Sequence, residues 1–120
     1  MVNLDTHILV ALLTEELTPQ EDAIIRGESF AISGIVLWEL AKLVQLGRRH
    51  IDFESDESRQ ALELTTVIPI SVDIARASTK LDFSSDPADE IIAATSVVEK
   101  IPLLTRNRRI LKSRMVPFAT

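Results

Sequence analysis

Residues 1–13, "MVNLDTHILVALL", decide the fold. "MVNLD" reads as a short strand that ends at Asp5, and "THILVALL" continues as a helical turn or two. A second strand–helix run lies at residues 29–47: "SFAIS" is a β-type run, Ser33 is placed to cap the next helix, and that helix, the apolar "GIVLWELAKLVQLG", stops at Gly47. Between the two units, "TPQEDAIIRGE" opens with Thr18 as N-cap, Pro19 at the first helical position and acids in the first turn, and Gly27 marks its end. Further on, the polar "RRHIDFESDES" leads into a helix over about 56–65. "TVIPIS", 66–71, reads as a strand whose ladder Pro69 weakens. Residues 72–81 are helical, "SSDPADEIIAATSVVEK" is a capped helix, and the strand "IPLLT" precedes a final "MVPFA". Short β-branched runs alternating with helices predict an α/β fold with a mostly parallel sheet. No repeat or linker divides residues 1–120, so one domain is expected.

The composition narrows the class. A 46% hydrophobic share fits a globular chain with a real core. With no cysteine there is neither a disulfide frame nor a thiolate metal site. The N-terminal run lacks a basic flank and is interrupted by Asp5, which predicts no signal peptide, no membrane span and a cytoplasmic protein. The net charge of −5 conceals an asymmetry: residues 1–99 hold all 18 acids against 7 basic side chains, whereas residues 100–120 hold 6 basic side chains and no acid. An acidic body with a basic terminal segment suggests either an anion-binding surface or a solvated positive face.

In open parallel sheets, ligands gather at the carboxyl ends of the strands. Asp5 closes the first strand, where it can cap the next helix or serve as a ligand. Glu39 lies two turns into the apolar helix. It belongs either to a narrow wet stripe with Lys42 and Gln45, paired with Lys42 at i, i+3, or to a carboxylate aimed at a cleft. In "SDPADEII", Asp86 is a natural N-cap, Pro87 suits the first helical position, and Asp89 is left free to act as a ligand. Trp38 reads as a core residue rather than a base-stacking platform. His7 and His50 read as ordinary polar residues. Oxygen-only ligands suit Mg²⁺ or Mn²⁺ rather than zinc, and clustered carboxylates holding such ions are a nuclease device.

These segments resemble the PIN domain, and within it the VapC-type toxins of toxin–antitoxin pairs. "VNLDTHILVALL" is similar to the family's first motif with its acid at Asp5, and "AISGIVLWELAKLVQLGR" to the second with its acid at Glu39. "DPADEIIAATSVVEKIPLLTRNRRIL" is similar to the third and fourth, with an acid at Asp89 and the Thr-x-Asp element at Thr105-Arg106-Asn107. Asn107 replaces the usual fourth acid, and Glu90 stands where the family often has Arg. The resemblance implies a three-layer α/β/α sandwich with a mostly parallel, twisted sheet of four to five short strands. It further implies an endoribonuclease that hydrolyses RNA with Mg²⁺ or Mn²⁺ held by Asp5, Glu39 and Asp89. Thr6 and Thr105 would support these ligands, and Asn107 would be a weakened fourth corner. Arg106, Arg108, Arg109, Lys112 and Arg114 would meet RNA phosphates or an acidic partner. An antitoxin and a homodimer are the implied partners; "ILVALL" and "AIIRG" suit an antitoxin groove and core packing equally. The missing acid leaves a second reading, a catalytically impaired module that binds RNA or a partner. A haloacid-dehalogenase-like enzyme would need an acid where His7 stands, and a response-regulator receiver would need an acidic pair by the first strand and a lysine after Leu104.

Overall fold

The computed structural model describes residues 1–47 and 51–120. Four strands, β1 (Val2–Leu4), β2 (Phe30–Ser33), β3 (Thr66–Ile68) and β4 (Leu103–Leu104), form one sheet in the order β3-β2-β1-β4. Every pairing is parallel: Asn3 lies opposite both Ala31 and Leu103, and Ile32 opposite Val67. Successive side chains of a strand face opposite sides of the sheet, and Val2, Asn3 and Leu4 are all buried. Both faces of the central strand are therefore covered, as the layered α/β expectation requires.

Seven helices supply the cover among the described residues: α1 (Thr6–Leu13), α2 (Pro19–Arg26), α3 (Gly34–Gln45), α4 (Asp56–Glu63), α5 (Val72–Ser78), α6 (Pro87–Glu99) and α7 (Arg108–Leu111). The expected caps are largely in place. Thr18 and Glu21 form a reciprocal capping box ahead of Pro19, and Ser33 Oγ accepts the amide of Ile35. Asp86 occupies the N-cap of α6 but makes no side-chain cap, contrary to expectation. Just before it, the Ser85 amide donates to Glu90 Oε2 at 3.4 Å. β3 stops at Ile68, before Pro69 would remove a ladder donor. The single-turn α7 has no counterpart among the sequence expectations, being too short to show a helical period.

The core joins "ILVALL" of α1 to both central strands. Ile8, Leu9, Val10 and Ile25 are buried in it, so these four side chains belong to the core. In α3 only Val36 and Leu40 are fully buried, and Trp38, expected inside, is 57% exposed. A helix apolar nearly all round gives no phase by which to tell its inner face. Among the described residues no helix is long and apolar enough to cross a membrane.

Candidate active site

The strand order reverses about β1: the chain steps outward to β2 and β3, then returns to lay β4 on β1's other side. Such a switch point opens a crevice at the carboxyl ends of the two strands. Asp5 leaves β1 there and Thr105 leaves β4 there. The Asp5 side chain does both things the sequence allowed. Its Oδ1 caps α1 by accepting the Ile8 amide at 3.1 Å, while its Oδ2 accepts the Thr105 hydroxyl across the crevice. Thr105 Oγ1 in turn accepts the amide of Asn107 at 3.0 Å, which fixes the start of the next turn.

Glu39 comes in from α3. Its Oε1 accepts the Thr6 hydroxyl at 2.5 Å, one residue beyond Asp5. The wet-stripe reading is thus half right: Lys42 and Gln45 are bonded to each other at 3.0 Å, but Glu39 takes its hydrogen bond from Thr6. Asp89, from the first turn of α6, accepts Ser85 Oγ at 2.7 Å and Asn107 Nδ2 at 3.2 Å. Asp5, Glu39 and Asp89 line one cleft of about 170 Å³, walled by His7, Trp38, Lys42, Leu43 and Leu46. His7, Trp38 and Lys42 lack a local motif to mark them; only their spacing from Asp5 and Glu39 on the same helices could do so.

The electrostatics follow from this crowding. Burial pushes the Asp5 carboxyl above its ordinary value, opposed by the Thr105 and Ile8 hydrogen bonds, and the Asp89 charge adds to the rise. Burial likewise raises Glu39, opposed by Thr6, with Asp89 and Asp5 repelling its charge. Three carboxylates held close without a compensating cation are costly. Among the described residues no three acids or histidines are gathered into a metal-holding cluster. Each carboxylate is held instead by a neutral hydroxyl or amide donor. The donor set is nonetheless all oxygen, and Glu39 Oε2 and Asp89 Oδ1 take no hydrogen bond from the described residues. That chemistry fits a hard divalent cation such as Mg²⁺ or Mn²⁺.

Two sequence expectations change here. Asn107 Oδ1 does not face the cleft as a weak ligand; it caps α7 by accepting the amides of Arg109 at 2.9 Å and Ile110 at 3.3 Å, so the amide NH₂ faces Asp89. Arg106 is not a free phosphate contact. Its guanidinium grips Glu21 through two bonds of 2.8 and 2.6 Å and also reaches the Glu16 carbonyl at 3.2 Å. The pair lowers the Glu21 carboxyl to about 2. Arg108, Arg109, Lys112 and Arg114 remain exposed. His50 lies outside the described residues.

Fold and site together define an α/β protein with an acidic cleft at the carboxyl edge of a parallel sheet, at its switch point. The PIN domain profile matches residues 2–114, and the chain belongs to the PIN domain family. Solved structures agree. A chain of a toxin–antitoxin complex from Klebsiella pneumoniae is similar at 28% identity, over 93% of this chain and 91% of that one, with a TM-score of 0.71. A chain of VapBC2 from Rickettsia felis, bound to a DNA fragment from its promoter, shares the fold at 18% identity, over 99% and 98% of the two chains, with a TM-score of 0.69. FitAcB from Neisseria gonorrhoeae does so at 17% identity, over 100% and 97%, also with a TM-score of 0.69. Among curated proteins none matches the chain.

Proposed function

We propose that this chain, as one domain spanning residues 1–120, is a VapC-type toxin: a cytoplasmic, Mg²⁺- or Mn²⁺-dependent endoribonuclease restrained by a cognate antitoxin. The observation that carries the reading is the meeting of Asp5, Glu39 and Asp89, from three different elements, in one cleft at the switch point. Family membership and the likeness to toxin–antitoxin structures support it. Asp5, Glu39 and Asp89 would hold the ion, which when bound supplies Lewis-acid polarisation of a phosphoryl group and offsets charge in the transition state. The protein's own part is to keep these carboxylates in place. Thr105 and Thr6 fix Asp5 and Glu39 by their hydroxyls, and Ser85 with Asn107 fixes Asp89. Arg108, Arg109, Lys112 and Arg114 offer salt-sensitive contacts to RNA phosphates.

Exposed Leu64, Val67, Ile70 and Val72, around the edge strand β3, support a homodimer that covers them. The groove between α1 and α2, lined by Leu12, Leu17 and Pro19 with Glu15, Asp22 and Arg26, supports an antitoxin segment bearing both apolar and charged side chains. The neutral amide at Asn107 favours reduced activity, and at its limit a module that binds RNA or a partner without cutting.

Calorimetric titration with Mn²⁺, paired with cleavage of structured RNA, tests the reading. Asp5→Asn and Glu39→Gln are the controls: Glu39→Gln keeps the oxygen that accepts from Thr6, and Asp5→Asn keeps one of its two accepting oxygens. Mn²⁺ binding and cleavage by the parent, both weakened in the two variants, are expected. Neither binding nor cleavage by the parent would overturn the enzyme and leave the binding module.

A further inference from the structure

Trp38 is the chain's one tryptophan, and a large apolar ring is normally kept from water. Here it is 57% exposed on a helix with buried positions to spare, and it stands at the mouth of the acidic cleft. The helical period explains the placement. Trp38, Lys42 and Gln45 form one stripe of α3, and Glu39, Leu43 and Leu46 form the next. The stripe bearing the carboxylate thus borders the stripe bearing the ring. The Lys42 ammonium lies 5.7 Å from the ring centroid, a cation–π arrangement that steadies the indole. Leu46, itself 61% exposed, extends the apolar wall.

We infer that Trp38, with Lys42, is the shelf on which a nucleobase of single-stranded RNA stacks next to the carboxylates. The inference rests on the ribonuclease reading and deepens it by naming the side chains that position a base of the substrate. An acidic floor repels a polyanion, so a strand needs a hold that does not depend on charge, and stacking on an aromatic face is that hold. The ring meets a base only if the base is free of its duplex partner, which restricts the substrate to loops, ends and single strands. Lys42 supplies a cation where the strand's next phosphate passes, and a divalent ion held by the carboxylates would offset the charge of the phosphate to be cut. A flat, sequence-tolerant ring positions any base, so recognition of a particular sequence must come from other contacts.

The test uses the indole as its own probe, since the chain has no tyrosine and no second tryptophan. In EDTA, which prevents cleavage, a short single-stranded oligoribonucleotide should quench Trp38 emission to saturation, and the same sequence as a blunt duplex should not. Trp38→Ala should weaken single-strand binding, read by anisotropy of labelled RNA, by about 5–100-fold, the range expected for one lost stacked base. Trp38→Phe should restore most of it, and Mn²⁺ binding should be unchanged in both. Lys42→Ala should lower the salt slope of binding by about one phosphate contact. Single-strand binding that leaves emission unchanged, or equal binding by Trp38→Ala, overturns the shelf while leaving the nuclease intact. Emission that changes with protein concentration instead of RNA assigns the ring to a contact between copies and also overturns it. A parent that binds neither RNA nor Mn²⁺ overturns both readings.

Discussion

Replacing Asn107 by aspartate restores the missing acid and, without a cation, should make the protein less stable. The cap survives, because an aspartate oxygen accepts the Arg109 and Ile110 amides as the present Oδ1 does. The change falls at the other end of the group, where Nδ2 now donates to Asp89 Oδ2 at 3.2 Å. The substitution removes a hydrogen bond to a charge, worth about 1.5–3 kcal/mol. It also sets two carboxylate oxygens at that separation, a repulsion whose ceiling is about 5 kcal/mol at an effective dielectric constant of 20. Both residues are partly exposed, so rotation and solvent relieve much of the repulsion, and the new charge at the start of α7 returns about 0.3–1 kcal/mol. A net loss of about 2 kcal/mol at neutral pH remains, which for a chain of this size lowers Tm by roughly 8 °C. The like-charge contact raises the pKa of one of the two carboxyls, so the deficit is present above that raised value and fades as acid protonates the group. Mn²⁺ should reverse the order, because a cation between the carboxylates turns repulsion into attraction. Thermal unfolding of parent and variant in EDTA and in Mn²⁺ measures all of this. A metal-free variant as stable as the parent, or an equal gain in Tm from Mn²⁺ in both, would refute the reasoning.

Glu21→Gln should destabilise by about 1 kcal/mol, because it removes the charge from a two-bonded pair in which Glu21 is buried and Arg106 is exposed to solvent. The Glu21 carboxyl, lowered from 4.5 to about 2, stabilises the fold fully above its unfolded value and loses that contribution as pH falls from 4.5 toward 2. Denaturant titrations across that range should therefore show a shallower acid limb in the variant, and an unchanged limb would count against the pairing. Thr105→Val removes a hydroxyl that both donates to Asp5 and accepts from Asn107; NMR titration should find the Asp5 pKa raised further, and stability should fall by about 1–3 kcal/mol. Leu40→Ala, at a fully buried site, should destabilise by about 2–5 kcal/mol. Trp38→Ala on the same helix should stay within about 0.5 kcal/mol, and the reverse order would mean that α3 is turned the other way.

Features encoded by local chemistry are the ones legible in the sequence. Asp5 at a strand end, the capping box of Thr18 and Glu21, and Ser33 before α3 each depend on neighbours within a few positions. The three cleft acids are legible for the same reason, each sitting at a recognisable strand or helix boundary or in a family motif. Arg106 escapes a local reading because its partner, Glu21, stands 85 positions away, and nothing in "LLTRNRR" announces it. Asn107 resembles a feeble ligand in sequence because the turn it caps is too short to show a period. Trp38 reads as a core residue because α3 offers apolar residues on every side, leaving only tertiary packing to choose which of them meet water. Asp86 shows the opposite failure, an ideal cap by sequence that the folded turn does not use.

The bond between Thr105 and Asp5 joins residues 100 positions apart, and it forms only when β4 takes its place beside β1. A chain emerging N-terminus first can build β1, α1, β2 and α3 early, and so carries Asp5 and Glu39 well before the last strand exists. Asp5 nevertheless lacks its cross-strand partner until β4 is in place, because Thr105 leaves that strand. For a protein read as cutting RNA, this connectivity orders assembly: the acids of the cleft lie on segments made before β4, and the hydroxyl that orients Asp5 arrives with that strand.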